Sequence, residues 1–513
     1  MILEHAGNQL FTVYVDHYDL NRLAKLWKLV DRIEELHYST RLDQLALFLS
    51  CLGPAPNLKV LDLRPELREG MEELTTLINL PTIFLGCLPS LRDLTLTNTV
   101  TWPVGLFRGL VSFDCGGFDH YPISAGHVFH VLRESPSIEF LRLVGYWTVS
   151  KVFGSPTANL PFLKECTLIG QGTTSLLRFL TIPASTYVFL SKPYVDEGAA
   201  FPKFDHVFAA QKLRVLDEIS TVSFSISDCA VRLQAKNIHG GVLDAEVDEL
   251  HDLTQDPYIF GHFLRSFFEC GGTYPGFKTT QAFTLDVDRG WMWEHDEATC
   301  FTLDIMGFMF NLSGLEEVKL RGVPALELFS ILEFLRTGTQ SELPCPNLRR
   351  LDIESTPFRF PRPFLLALGT LLAERVEAGV PLQSVRVKVK CEMLIPAPEH
   401  HALLTSWRRL VEEGVKLEYK ETVFRELPRR RRHDHEDEDE EDYEDEEDDE
   451  GEDEEDDEGE DEEEDEGEDE EGEDEEDEDE DEEDWIRDPD NSCAGWDGRP
   501  ESWPATMGEI GEH

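Results

Sequence analysis

Apolar residues recur along the chain in a short pattern, a proline followed by Leu-x-x-Leu-x-Leu or a close variant. The clearest copies begin at Pro56, Pro89 and Pro136, and weaker copies begin at Pro161 and Pro346. Within each copy, apolar and polar positions alternate, which is typical of a β-strand that buries one face and exposes the other. Each copy therefore predicts a strand whose leucines enter a core.

Between these strands lie stretches that resemble amphipathic helices. Their apolar residues follow the i, i+3, i+4, i+7 spacing, and one has a proline at its start and a glycine just past its end, which are common start and stop signals. The predicted helices are residues 42–52, 258–268, 324–335 and 361–378.

Strands that alternate with helices predict an α/β fold, and Leu-x-x-Leu-x-Leu is the strand signature of a leucine-rich repeat. We expect residues 1–427 to form an irregular leucine-rich-repeat-like solenoid of parallel strands with covering helices. The strands are spaced less evenly than the ~20–29 residues of regular repeats. Residues 183–310 contain no clean copy, only strand-like alternation at 222–226, 282–287 and 301–305. We interpret this stretch as degenerate repeats, with a separate inserted domain as the alternative.

Charge is concentrated near the C-terminus. The formal net charge is -58, and residues 436–484 contain 44 acidic and no basic residues among 49. Such a tract repels itself and cannot bury apolar area, so residues 428–484, which begin with an arginine run at 429–432, are predicted to be disordered. Residues 485–513 are predicted to be an unstructured tail. The rest of the chain has a net charge of only -14.

Cysteine spacing and hydropathy limit the cellular locations that we expect for the protein. Ten cysteines are scattered without a C-x-x-C pair, which argues against a zinc ribbon and a dense disulfide framework. Cys87, Cys166 and Cys270 fall on apolar stretches, where a free cysteine packs as a small hydrophobe. The sequence has neither a signal-peptide pattern at its start nor an apolar run of ~18–20 residues. We expect a cytoplasmic or nuclear location without a membrane partner, and the run at 429–432 could act as a nuclear-import signal.

In each predicted strand the residues between the leucines face solvent, and in a solenoid this row lines a concave binding face. The alternative is that these are ordinary solvated positions. The residues predicted to form a partner-binding face are Asp62, Asp93, Thr95, Phe140, Arg142, Glu165, Thr167, Lys319, Arg350, Asp352 and Arg386.

Three short motifs contain residue types found in phosphate-binding or metal sites, but none of them is a complete motif. Gly170-Gln171-Gly172 lacks the remaining residues of a phosphate loop, so a turn after a strand is the preferred interpretation. His295-Asp296-Glu297 and His400-His401 have no second cluster at a metal-ligand spacing. The sequence therefore predicts no catalytic residue, no cofactor, no metal site and no direct contact with nucleic acid.

Two segments resemble fungal F-box proteins with leucine-rich-repeat-like bodies. Residues 3–16 resemble the stretch that follows the F-box, and residues 379–387 with 407–414 are similar to the closing repeat and final helix of that family. The resemblance implies a substrate-binding body of a ubiquitin-ligase receptor. The Leu-Pro-x-Glu-like opening of the F-box is not found in this sequence, so docking to a ligase scaffold has no matching residues here.

Two functions are therefore expected. The first is a non-enzymatic protein-recognition scaffold whose client is unknown. The alternative is an acidic-tailed chaperone or chromatin-associated protein that binds basic proteins through the polyacidic tract.

Overall fold

A computed structural model of the 513-residue chain describes most of the repeat-bearing part. All described residues lie in one unit of the chain, Met1–Arg430. The residues that it describes are 9–15, 27–39, 52–64, 80–99, 101–117, 123–145, 147–148, 157–170, 176–191, 213–227, 230–247, 274–288, 297–336, 343–354, 361–391, 402, 405–407, 409, 411 and 414–421. The predicted helix 258–268, nearly all of 42–52, the arginine run, the acidic tract and the C-terminal tail lie outside them.

The described part of the chain is mixed α/β and is dominated by one sixteen-stranded sheet. Its strands, in chain order, are β1 (Phe11–Val15), β2 (Ile33–Tyr38), β3 (Val60–Leu63), β4 (Asp93–Thr97), β5 (Ser112–Gly116), β7 (Phe140–Val144), β10 (Glu165–Ile169), β12 (Tyr187–Ser191), β13 (Ile219–Ile226), β14 (Val231–Asn237), β15 (Val242–Val247), β16 (Ala282–Val287), β17 (Glu317–Arg321), β18 (Arg350–Glu354), β19 (Ser384–Cys391) and β20 (Gly414–Glu421). Two small parallel pairs stand apart from it, formed by β6 (Ile123–Ser124) with β8 (Trp147–Thr148) and by β9 (Ala158–Asn159) with β11 (Leu180–Thr181).

Neighbours in the large sheet mostly follow chain order and pair in parallel. The exception is a reversal in the middle, where the order runs β12-β15-β14-β13-β16. There β14 is antiparallel to both of its neighbours, while β15 pairs in parallel with β12 and β13 with β16. The five strands within residues 183–310, β12 to β16, thus belong to the same sheet as the rest, and three of them, β13 to β15, form an antiparallel meander in it.

The described α-helices are α1 (Ala125–Glu134), α2 (Glu297–Asn311), α3 (Ala325–Arg336) and α4 (Pro361–Glu377). The helices predicted at 324–335 and 361–378 are confirmed as α3 and α4. The strand predicted at 301–305 is wrong, because those residues lie inside α2. Ile305, Phe308, Met309 and Leu312 are all at most 1 % exposed, so the buried positions there follow a helical period and not alternation.

The five Leu-x-x-Leu-x-Leu copies are confirmed as β3, β4, β7, β10 and β18. The first apolar residue of each copy lies two positions before the strand, as Leu58 does before β3, and is at most 1 % exposed. The strand leucines join a single core with the apolar faces of the helices. The sequence pattern missed β5, whose core positions are Phe113 and Cys115 instead of leucine.

A row of side-chain hydrogen bonds joins the turns that precede the strands. Asn57 Nδ2 donates to the carbonyl of Asp31 (2.6 Å), and Ser137 Oγ donates to that of Leu110 (2.8 Å). Asn347 Nδ2 donates in the same way to Ser313, at 2.8 Å. Each donor follows the proline of its copy, so the second position of the pattern ties one turn to the turn before the neighbouring strand. We call the three donors Asn57, Ser137 and Asn347, together with the carbonyl groups that they bind, the turn ladder.

Free cysteines on β5 and β10, and one that precedes β18, belong to the core. Cys115, Cys166 and Cys345 are buried, and burial raises the pKa of the Cys166 thiol to about 12, which keeps it protonated and apolar in behaviour. The expectation for Cys87 is wrong, because that side chain is exposed. Cys270 lies outside the described residues.

Candidate interaction surface

The strand positions that do not enter the core form a second face of the large sheet, which we call the open face. Backbone register places one residue of each strand in a row that crosses all sixteen strands. In sheet order the row is Tyr14, His37, Asp62, Thr95, Asp114, Arg142, Thr167, Phe189, Asp244, Gln234, Ser223, Thr284, Lys319, Asp352, Arg386 and Lys416.

All eleven predicted face residues lie on this open face. Seven of them belong to the row just given, and Asp93, Phe140, Glu165 and Arg350 lie two positions earlier in their strands. They come from one half of the sheet or the other, and none comes from the meander at its centre. Parallel strands in register explain why residues so far apart in sequence share one surface.

Strands β2 to β5 form an acidic end of the open face. Asp62 accepts from Arg64 Nε at 2.8 Å and lies 3.3 Å from Nδ1 of His37, whose ring stacks on Tyr14. Glu35 accepts a hydrogen bond from Thr12 and lies 3.7 Å from His37 Nε2. No lysine or arginine occurs within these four strands, so the nearest cations come from outside them.

The carboxylates of the acidic end influence one another. Partial burial, and then the negative charge of Glu35, raise the pKa of Asp93 above its usual value. At the border of this end, Asp114 on β5 accepts from Arg142 Nη1 on β7 at 3.2 Å. This contact is solvent-exposed and contributes little to stability.

At the centre of the open face, three side chains from the two strands beside β15 donate hydrogen bonds to Asp244. Arg232 donates from Nε and Nη2 to its two oxygens, at 2.8 and 2.7 Å. The hydroxyl of Tyr187 donates at 2.9 Å and the amide of Gln234 at 3.2 Å. Burial alone would raise the pKa of Asp244, but these hydrogen bonds outweigh it and hold the pKa below its usual value. The cluster links β12, β14 and β15, and its carboxylate is fully engaged.

Apolar side chains accompany this cluster. Phe140 is 43 % exposed, and the Lys164 ammonium lies 5.8 Å from the centre of its ring. Val144, Ile169 and Phe189 are half-buried on the same face. The strands β7, β10 and β12 therefore present an apolar and aromatic patch between two charged regions.

Strands β17 to β20 form a basic end. They contain eight lysines and arginines against five acidic residues. Lys319 Nζ lies 2.9 Å from Glu317, and Lys388 Nζ lies 3.2 Å from Glu354. Arg350 approaches Glu317 only to 3.7 Å, and its side chain remains 55 % exposed. Asp352 lies between Lys319 and Arg386 in register.

The structure gives a physical role to the Gly170 motif. Gly170 has a φ of +104°, and a Cβ there would lie 2.5 Å from the carbonyl oxygen of Gly145. Its amide donates to Ser191 across the end of the strand. Gly170 thus ends β10 as a turn residue, whereas Gln171 and Gly172 lie outside the described residues. Of the histidine motifs, His295, Asp296, His400 and His401 also lie outside them.

Within the described ranges, no three His, Cys, Asp or Glu side chains cluster closely enough to hold a metal ion. No helix in that same part of the chain is both long and apolar enough to cross a membrane. Sequence reasoning missed Asp114, Tyr187, Arg232, Gln234 and Asp244. The signal that could have found the last three is Gly240-Gly241, a glycine pair between two alternating runs that is typical of a hairpin.

Comparison of the sequence with known protein families and with curated proteins finds no match.

Proposed function

We propose that this protein is a non-enzymatic recognition scaffold, a leucine-rich-repeat-like solenoid whose open face binds a protein client. The observation that carries the proposal is the unbroken row of residues across sixteen strands. A face of this size, partly solvated and built on packed strands, suits the binding of a macromolecule better than that of a small molecule, which binds in a concave pocket.

Two features favour a repeat body. On both sides of the meander, successive strands pair in parallel with register kept. The turn ladder also repeats the same contact from one copy of the pattern to the next. Such nearest-neighbour contacts are how repeat proteins are stabilised. Together with the resemblance to F-box proteins, they support a substrate-binding body like that of a ubiquitin-ligase receptor, located in the cytoplasm or nucleus.

A pulldown with matched variants tests this function. We expect a client to be captured equally by the full chain and by a chain that ends at Leu427. Arg142→Glu should reduce capture, because Arg142 lies on the open face and its side chain is 51 % exposed. Arg108→Glu is the control, since Arg108 is exposed but lies outside the strands. A set of clients that all ignore Arg142→Glu and the other open-face substitutions would refute the proposal.

The acidic tract supports a second candidate function. Its 44 carboxylates among 49 residues would attract basic proteins as a polyanion, as an acidic-tailed chaperone or chromatin-associated protein would. In the same pulldown, basic clients that are lost from the chain ending at Leu427 would favour this second function.

A further inference from the structure

Charge is distributed unevenly over the open face, with an acidic end and a basic end. Its acidic end, on β2 to β5, has carboxylates at Glu35, Asp62, Asp93 and Asp114, and these strands supply no lysine or arginine. The strands of its basic end, β17 to β20, together contain eight basic and five acidic residues, of which all but Glu421 alternate with the core positions. The balance of charge therefore changes across the sheet, from acidic strands at one end to strands with more basic than acidic residues at the other.

The negative charge at the acidic end is not fully compensated within the sheet. Glu35 contributes to raising the pKa of Asp93, although the two lie on strands separated by β3. Repulsion of this kind would be relieved by cations placed over β2 to β4. A nucleic acid or another polyanion would be repelled there, so the two ends cannot both favour it.

The patch between the two ends has the composition of an interface centre. Phe140 is 43 % exposed, and two strands away on β12 Tyr187 has the same register position, with Phe189 two residues further on. Tyr187 is held by its hydrogen bond to Asp244, while the Arg232 side chain remains 46 % exposed beside it. Aromatic and arginine side chains that are already fixed in position are those that contribute most to binding when a partner covers them.

The distance between the ends indicates the size of the partner. Eleven strand positions separate β3 from β18 in the sheet order. At ~4.8 Å for each position this is roughly 50 Å along the sheet, which about 15 extended residues would span.

We propose that the client of the open face is an extended polypeptide segment that crosses the strands. It would place basic side chains over β2 to β5, an apolar or aromatic anchor over β7, β10 and β12, and acidic side chains over β17 to β20. This inference rests on the proposed recognition function and adds the chemistry and orientation of the client.

The test is a selection of random displayed peptides of about 16 residues on the full-length protein. Affinities of enriched peptides are then measured with three variants, one for each region of the face. Phe140→Ala removes the exposed aromatic ring of the anchor site, Asp93→Asn removes one negative charge from the acidic end, and Arg350→Gln removes one positive charge from the basic end. We expect losses of about tenfold for the first and about threefold for each of the others.

Three matched controls lie off the open face. Phe310→Ala removes an aromatic ring that is 47 % exposed near the end of α2. Glu377→Gln and Arg108→Gln neutralise exposed charges outside the large sheet. Each control should change affinity less than its partner variant. Exchanging the lysines and glutamates of an enriched peptide should weaken its binding at least about tenfold, because both ends would then meet like charge.

The outcomes separate this inference from the proposed function. Peptides that need Phe140 but tolerate both charge variants and the exchange of their own charges would overturn the inference and leave the recognition function intact. Peptides of one charge sign that depend on a single end would overturn the charge order in the same way. A selection in which no peptide depends on any of the three residues would overturn both.

Discussion

Asp93 adds negative charge to the open face but lowers the stability of the folded protein. Its pKa is raised in the folded protein by partial burial and by Glu35, and neither effect persists in an unfolded chain. The folded state therefore binds a proton more readily than the unfolded state, so this group lowers stability as the pH rises above the usual carboxyl pKa of 3.8. Asp93 thus opposes folding at neutral pH.

We expect Asp93→Asn to raise the melting temperature at pH 7, because the substitution removes the repulsion and the burial of a charge. The gain should shrink as the pH falls through the carboxyl range, where Asp93 is protonated in both states. Thermal melts at pH 7 and at about pH 3, below the usual carboxyl pKa of 3.8, check this, with Glu377→Gln as the exposed control. A gain that grows on acidification would contradict the sign.

Position 170 requires a glycine, both because of its backbone conformation and because of the atoms around it. Alanine there would adopt a φ of +104° and would bring its Cβ to 2.5 Å from the Gly145 carbonyl oxygen. We expect Gly170→Ala to lower the free energy of unfolding by about 2 kcal/mol. Gly53→Ala is the control, because no atom lies within 4 Å of a Cβ at that position. Denaturant titration of both variants gives the comparison, and equal stabilities would show that the strand end tolerates a side chain.

At the scale of the element, alternation along each strand decides which substitutions the fold accepts. Leu141 is 1 % exposed in the core, whereas Thr167 on β10 lies opposite Arg142 on the open face. We expect Leu141→Asp to unfold the sheet because it buries an unpaired charge, and we expect Thr167→Asp to fold normally. Circular dichroism melts distinguish the two. If Leu141→Asp kept the melting temperature of the parent, the assigned register would be wrong.

The turn ladder belongs to the same scale, since each of its contacts joins two neighbouring turns. Asn347→Ala removes the 2.8 Å hydrogen bond to Ser313 and should cost about 1 kcal/mol of unfolding free energy. Asn159→Ala is the control, because Asn159 is exposed in the small β9–β11 pair and stands outside the ladder. Similar denaturation midpoints for the two variants would exclude a stabilising role for the ladder.

At the scale of the whole molecule, salt distinguishes the two proposed functions. Charge pairs made by an exposed polyanion weaken as the Debye length falls from ~10 Å at 0.1 M salt to ~3 Å at 1 M. Clients of the acidic tract should therefore show a steep loss of affinity with salt, and this loss should vanish when residues 436–484 are deleted. Clients of the open face should respond less, because Phe140 and its neighbours supply apolar contact. Affinities at both salt concentrations, for the full chain and the deletion, check this prediction.

The sequence alone determined the strands that repeat a strong local pattern. Leucines at alternating positions bury one face wherever they occur, so β3, β4, β7, β10 and β18 were predictable, as was α4 from its apolar stripe. The same alternation placed eleven residues on one face of the sheet. Where other residues fill the core positions, as Phe113 and Cys115 do in β5, the pattern was lost although the strand remained.

Only the tertiary structure decided which strands are neighbours. The reversed order β15-β14-β13 brings Asp244, Arg232 and Tyr187 together, yet each lies in a different strand and none belongs to a repeat copy. Residues 301–305 alternate like a strand but are helical, because Ile305 packs in the core together with Phe308 and Met309 of the same helix. Local periodicity indicates which side of an element is buried. Which strand becomes its neighbour depends on pairings between residues distant in sequence, and no short pattern contains that information.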